Sequence, residues 1–213
     1  MTLHEPATFV TDGLLAAFAA WLAWRLRRSS PAGNRAARWL GHALALTAAS
    51  ALVGGTYHGF APNFSPAFSA AWWRVTLLII NLLSAAMAVS CVHEVAPPAL
   101  RRPLFIVIAA KLFIFATAVM VHPVFWVAIA DYGSTMLVWL AAAALLSRPW
   151  RAWMLSALAL SALAAAVQQL GWAPAPWFNH NDLYHLVQMA ALAAFYRAGL
   201  ACTSPSTKPA PTS

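Results

Sequence analysis

Charge is what this chain has least of. Only 8% of its 213 residues are charged while 62% are hydrophobic, against about 25% charged in a soluble domain. That shortage excludes an ordinary water-soluble fold and points to an integral membrane protein. Linkers are missing as well. No Gly/Pro/Ser-rich stretch interrupts residues 1–202, so one integral domain is expected, and the polar, Pro-containing tail 203–213 reads as a disordered cytoplasmic segment. Cysteine is scarce: Cys91 and Cys202 are too few for a disulfide framework and too far apart for a zinc motif. Residues 1–10 lack a basic n-region, and arginines follow the first apolar run, which favours an uncleaved first helix over a cleaved signal peptide.

The charge that is present has a pattern. The formal net charge of +8 suggests nucleic acid until its placement is read. Arg25, Arg27, Arg28, Arg35 and Arg38 lie between the first two apolar runs. Arg101 and Arg102 lie between the third and fourth, Arg148 and Arg151 between the fifth and sixth, and Arg197 and Lys208 at or beyond the end of the last. Basic residues in alternate loops orient helices in a bilayer, with the basic loops in the cytoplasm. The charge therefore sets topology, and nucleic-acid binding is not expected.

Seven runs are long enough to cross ~30 Å of hydrocarbon at ~1.5 Å per residue. They cover residues 9–26, 37–60, 70–93, 103–121, 124–146, 152–170 and 182–200, with His122-Pro123 breaking what would otherwise be one overlong segment. The expected fold is all-α: a polytopic seven-transmembrane-helix bundle, N-terminus outside and C-terminus cytoplasmic. Trp72, Trp73, Trp126, Trp150, Trp153, Trp172 and Trp177 fall near predicted helix ends, as interfacial anchors do. Gly55 and Gly59, four residues apart, offer a close-approach surface on the second helix.

Ionisable groups at membrane depth are expensive, so they are functional candidates by default. In this topology His58, His122, His180 and His185 all fall in the outer layer. The turn Asn179-His180-Asn181-Asp182-Leu183-Tyr184-His185 opens the seventh helix. At 100° per residue, Asn181, Asp182, Gln188 and Met189 lie within about 60° of His185, a polar stripe that should face the bundle interior. His180 lies about 140° from His185 if it is helical, and can fold back over the site if it is not.

Two readings of this layer stand side by side. His58 and His185, with Asp182 or His180, supply the three ligands of a catalytic zinc site that leaves a position open for water. Alternatively, the same groups simply hydrogen-bond where water is available. Asp182 is also a natural N-terminal cap. In the fifth helix, Asp131 with Ser134 and Thr135 forms another stripe. Asp131 reads either as a general base, or orienter of a ligating His, or as the ion-pair partner of Lys111 in the fourth helix. Asn81 and Ser84 are neighbours near the middle of the third. His42 and His93, near the cytoplasmic ends, read as interfacial or as half of a bis-His haem arrangement. A retinal protein would need a Schiff-base lysine, which the seventh helix lacks.

Seven helices, a His at the end of the second and a His-bearing polar turn in the seventh resemble the membrane hydrolase superfamily of alkaline ceramidases, progestin/adipoQ receptors and haemolysin-III-like proteins. In that group one His of the second helix and two of the seventh, spaced i,i+4, hold zinc, and a Ser and an Asp assist. His58 and His185 match two of these positions. Asn181 stands where the second His of the pair would be, and Gly54 where alkaline ceramidases have Ser. The resemblance implies zinc-assisted hydrolysis of a lipid-like amide or ester near the outer face, with lipid entering sideways. Asp131 or Asp182 would accept the proton, and Thr56, Tyr57 or Tyr184 would steady the oxyanion. The His-Asn-Asp-Leu-Tyr-His turn also resembles that of uncharacterised bacterial membrane proteins, which implies the bacterial inner membrane and no particular activity. A receptor, transporter or scaffold with a structural polar layer is the competing expectation, and a bis-His haem cytochrome a lesser one.

Overall fold

The protein, described by a computed structural model over residues 2–175 and 177–202, is all-helical. Its elements are α1 (Pro6–Ser29), α2 (Arg35–Phe60), α3 (Pro66–Val95), α4 (Pro98–Val121), α5 (Phe125–Leu145), α6 (Arg151–Leu170) and α7 (His180–Ala201), with a 3-10 turn at Ala61–Asn63 after α2. Among the described residues the only β pairing is an isolated bridge between Ala175 and Phe178. The tail 203–213 lies outside the described residues.

Several helices begin earlier than their apolar runs because proline starts them. Pro6, Pro66 and Pro98 occupy first-turn positions, where the missing N–H has no intrahelical partner to lose. Asn34 and Ser65 cap α2 and α3, accepting from Ala37 N and Phe68 N. His122-Pro123 breaks the chain between α4 and α5, and Gly171, at φ 66°, closes α6 in the left-handed conformation.

Each helix packs on its neighbours in the chain, and α1 also packs on α7 to close the ring. Five helices (α1, α3, α4, α5 and α6) are long and apolar enough to cross a membrane. Their outward faces carry large exposed apolar side chains, among them Phe113, Ile106, Trp126 and Leu137, a surface suited to lipid rather than water. The two helices outside that set are α2 and α7, which are rich in Ala and Gly where they are buried; α7 also buries Asp182, His185 and Gln188.

One of the tryptophans named as interfacial anchors departs from that role. Trp150 is fully buried and donates to Glu94 Oε1 at 2.7 Å, and it meets the equally buried Trp139 edge to face. The carboxylate at the end of α3 draws the indole N–H inward. Trp73 is half-buried and donates to Pro123 O at 2.9 Å. Trp126, Trp172 and Trp177 are exposed.

A polar knot holds α4 to the rest. Of its residues only Val119 is buried, so apolar packing does little for it. Lys111 instead reaches across to form an ion pair with Asp131, and also donates to Ser84 Oγ at 2.8 Å and Thr135 Oγ1 at 3.0 Å. Asn81 Nδ2 donates to Asp131 Oδ2 at 2.7 Å, and Ser84 Oγ to Asp131 Oδ1 at 3.0 Å. Both carboxylate oxygens are thereby satisfied, as burial at 1% exposure demands. Asp131 takes the ion-pair alternative, and the knot joins α3, α4 and α5. Removing the cation alone strands a buried carboxylate. Lys111→Met should therefore cost about 3–5 kcal/mol, and adding Asp131→Asn should recover most of it, as read by thermal unfolding in detergent.

Candidate active site

The decisive polar contact comes from a residue in the first helix. Asp12, on α1, is 4% exposed, and its Oδ1 lies 3.1 Å from His185 Nε2 on α7. The other ring nitrogen, Nδ1, is 2.9 Å from Thr11 Oγ1, and that hydroxyl is in turn 3.3 Å from Asp182 Oδ1. A hydroxyl both donates and accepts, so Thr11 matches either protonation state of the imidazole. It donates to a bare Nδ1, or accepts from a protonated one and donates to Asp182. The result is a continuous chain: Asp12, His185, Thr11, Asp182.

Asp182 is held from two sides. It is fully buried, and its Oδ2 accepts from Asn179 N at 2.7 Å, while Asn179 Oδ1 accepts from the N–H groups of Asn181 and Asp182. This reciprocal capping box starts α7 at His180. Asp182 is thus the helix cap, and both of its oxygens are engaged within the protein.

Close approach of α1 and α2 makes room for Asp12. A Cβ on Gly55 would lie 2.6 Å from Asp12 Cβ, and one on Gly59 would lie 2.9 Å from Phe9 Cδ2. The Gly55/Gly59 surface is therefore the face on which α1 rests. Next to it, His58 Nδ1 lies 3.3 Å from Glu5 Oε2. Glu5 has a φ of 39°, the only positive φ among the described non-glycine residues. A non-glycine residue held there stores local strain.

These groups sit at the head of a cavity of about 680 Å³. His58, His180, Tyr184, His185, Asn181 and Asp12 line the head. Below it, the walls are mainly apolar, from α2, α3, α5 and α6. On α5 alone they run from Phe125 to Leu140, about 22 Å at 1.5 Å per residue. Leu137 and Leu140 line the cavity and are also exposed on the outer surface. The space thus communicates with the bundle's flank, where α5 and α6 touch only sparsely.

The structure brings together His58, His180, His185 and Tyr184. Asp131 does not join them, being in the Lys111 knot. Thr56 donates to Leu52 O at 2.8 Å and does not line the cavity. His122 is exposed at the α4–α5 turn. Asp12, Thr11 and Glu5 lie on or just before the first helix, outside the histidine-bearing segments that mark the site in the sequence. An acid near the start of a membrane helix was the available signal.

The chain belongs to a family of unknown function, DUF6962. The match covers residues 7–204, which takes in all seven helices but for Pro6, and every residue of the site except Glu5. No curated protein and no solved structure matches it.

Zinc, implied by the superfamily resemblance, requires three convergent donors. Among the described residues no group of three or more His, Cys, Asp or Glu side chains is placed to hold a metal ion. Both nitrogens of His185 have protein partners, His58 Nδ1 faces Glu5, and Asp182 is the cap. As arranged, these donors are engaged with one another rather than converged on one point. What the head does hold is a buried carboxylate with one oxygen fixed by an imidazole. Its other oxygen, Oδ2, has no partner among the described residues.

The Gly55 contact gives a paired test. Gly55→Ala drives a methyl group into Asp12 and should destabilise by about 1–3 kcal/mol. Gly54→Ala meets only Thr76 Cγ2 at an ordinary 3.5 Å and should be near neutral by thermal unfolding in detergent.

Proposed function

We propose that this protein is an integral-membrane hydrolase of a lipid-like amide or ester, with Asp12 as its general base and His185 as the group that holds and shares Asp12's proton. The observation that carries the proposal is Asp12, whose buried Oδ2 has no partner among the described residues and whose side chain lines the head of a long apolar cavity open to the bundle's flank. A carboxylate shielded from bulk water, with an imidazole fixed on one oxygen, is suited to taking a proton at the other. The apolar walls suit an acyl chain, which leaves the polar amide or ester at the head.

In this reading the substrate enters sideways past Leu137 and Leu140. Water at the head gives its proton to Asp12 Oδ2, and the hydroxide attacks the carbonyl carbon. The oxyanion then collapses, breaking the bond to the amine or alcohol, which takes the proton back from the Asp12–His185 pair. Tyr184 O–H and the rings of His58 and His180 are the donors available to the oxyanion. Thr11 and Asp182 hold the far side of the imidazole, so the proton has a fixed path.

All seven helices cross the bilayer in this proposal. The end bearing Arg25, Arg27, Arg28, Arg101, Arg102, Arg148 and Arg151 faces the cytoplasm, and the cavity head lies near the outer face, which the alternation of basic loops supports. The membrane is the bacterial inner membrane, a reading that rests on the resemblance of the His180–His185 turn.

The test is hydrolysis of acyl-amide and acyl-ester lipids by the detergent-purified protein. Asp12→Asn and His185→Gln should each lower the rate about 10²–10⁴-fold, while Ser156→Ala on α6 should leave it unchanged. No turnover by wild type on any acyl lipid, or full turnover by Asp12→Asn, refutes the reading in favour of a receptor, transporter or scaffold. Metal analysis of the same preparations addresses zinc. A stoichiometric ion lost in both His58→Ala and His185→Ala would replace the metal-free mechanism.

A further inference from the structure

A second cavity of about 570 Å³ lies at the opposite, basic end, between the start of α4 and the end of α3. Arg35, Arg101, Arg102 and His93 line it, with Phe105 and Ile106 on its apolar side. Three arginines from two helices therefore line one space. No carboxylate among the described residues pairs with any of them: the salt bridges use Glu5, Asp12 and Asp131. Glu94, close by in the chain, is turned to Trp150. Arg101 is fixed in place by donating to Ala96 O and His93 O at the end of α3, whereas Arg35 and Arg102 are exposed. Like charges held together in this way repel unless an anion joins them.

The surroundings identify that anion. Arg102, Ile106, Ala109 and Phe113 recur at four-, three- and four-residue steps, which places them on one face of α4. Ile106 and Phe113 are 65% and 73% exposed, and the stripe extends about 16 Å from Arg102 to Phe113 at 1.5 Å per residue. A free phosphate would use the arginines and leave the stripe bare. A lipid with an anionic headgroup uses both, in the manner of basic pockets between membrane helices.

We infer that the α3–α4 cleft is a binding site for an anionic phospholipid, its phosphate held by Arg35, Arg101 and Arg102 and an acyl chain lying along Ile106, Ala109 and Phe113. The site is separate from the cavity of the proposed hydrolase, and its lipid selectivity holds whether or not that activity exists. With the orientation proposed above, the lipid belongs to the cytoplasmic leaflet.

The test is native mass spectrometry of the full chain, delipidated and titrated with phosphatidylglycerol, phosphatidylcholine or inorganic phosphate. Wild type should retain phosphatidylglycerol well above phosphatidylcholine. Arg35→Gln and Arg102→Gln, exposed positions whose loss leaves the packing intact, should each weaken that retention about fivefold. Arg151→Gln, outside the cleft, should not. Equal retention of the two lipids, or unchanged retention in Arg35→Gln and Arg102→Gln, overturns the inference. Inorganic phosphate that displaces the lipid at equimolar concentration overturns the role given to the apolar stripe.

Discussion

An acid buried in an apolar bundle must find its partner inside the protein, and in this chain that constraint organises the fold. There are only five acidic residues, and all five touch a named partner in another part of the structure. Asp12 meets His185, Asp131 meets Lys111, Glu5 meets His58, Glu94 meets Trp150, and Asp182 meets Thr11 while capping α7. The Asp12–His185 contact matters most because it joins the first helix to the last. With it, α1 and α7 close the ring and the cavity gains a polar head. Without it, the Asp12 carboxylate would be buried with neither oxygen paired, at a cost of several kcal/mol.

The two large polar clusters divide their work. The Lys111–Asp131 knot has every oxygen of its carboxylate satisfied, and it supplies the attachment that α4's thin apolar packing does not. Such a group is committed to holding three helices together. The Asp12–His185–Thr11–Asp182 chain is nearly as buried but leaves Asp12 Oδ2 without a partner, on a residue that lines the cavity. Satisfaction distinguishes structure from candidate function here better than depth does.

Much of the architecture was legible from residue order. Apolar runs marked the helices, the proline at 123 marked the α4–α5 break, and helical phase turned Asp182, His185 and Gln188 inward, where all three are buried. The close-approach role of Gly55 and Gly59 followed from their spacing. The partners were less legible. A carboxylate on α1 reaches a histidine 173 positions later, and nothing local to Asp12 signals that pairing. Asp182 had two chemically sound uses, and the capping box, a contact between neighbours in the chain, took it. Trp150 read as an interfacial anchor because helix ends usually lie at the interface, but Glu94 gave its indole a buried partner.

The closed ring and the proposed site both require Asp12 and His185 to act as a coupled pair. A double-mutant cycle of Asp12→Asn and His185→Gln, read as unfolding free energy in detergent, measures this directly. The structure predicts a coupling energy of about 0.5–3 kcal/mol, the range for residues in contact within one hydrogen-bonded network. Two substitutions that add to within about 0.3 kcal/mol, as distant sites do, would contradict it.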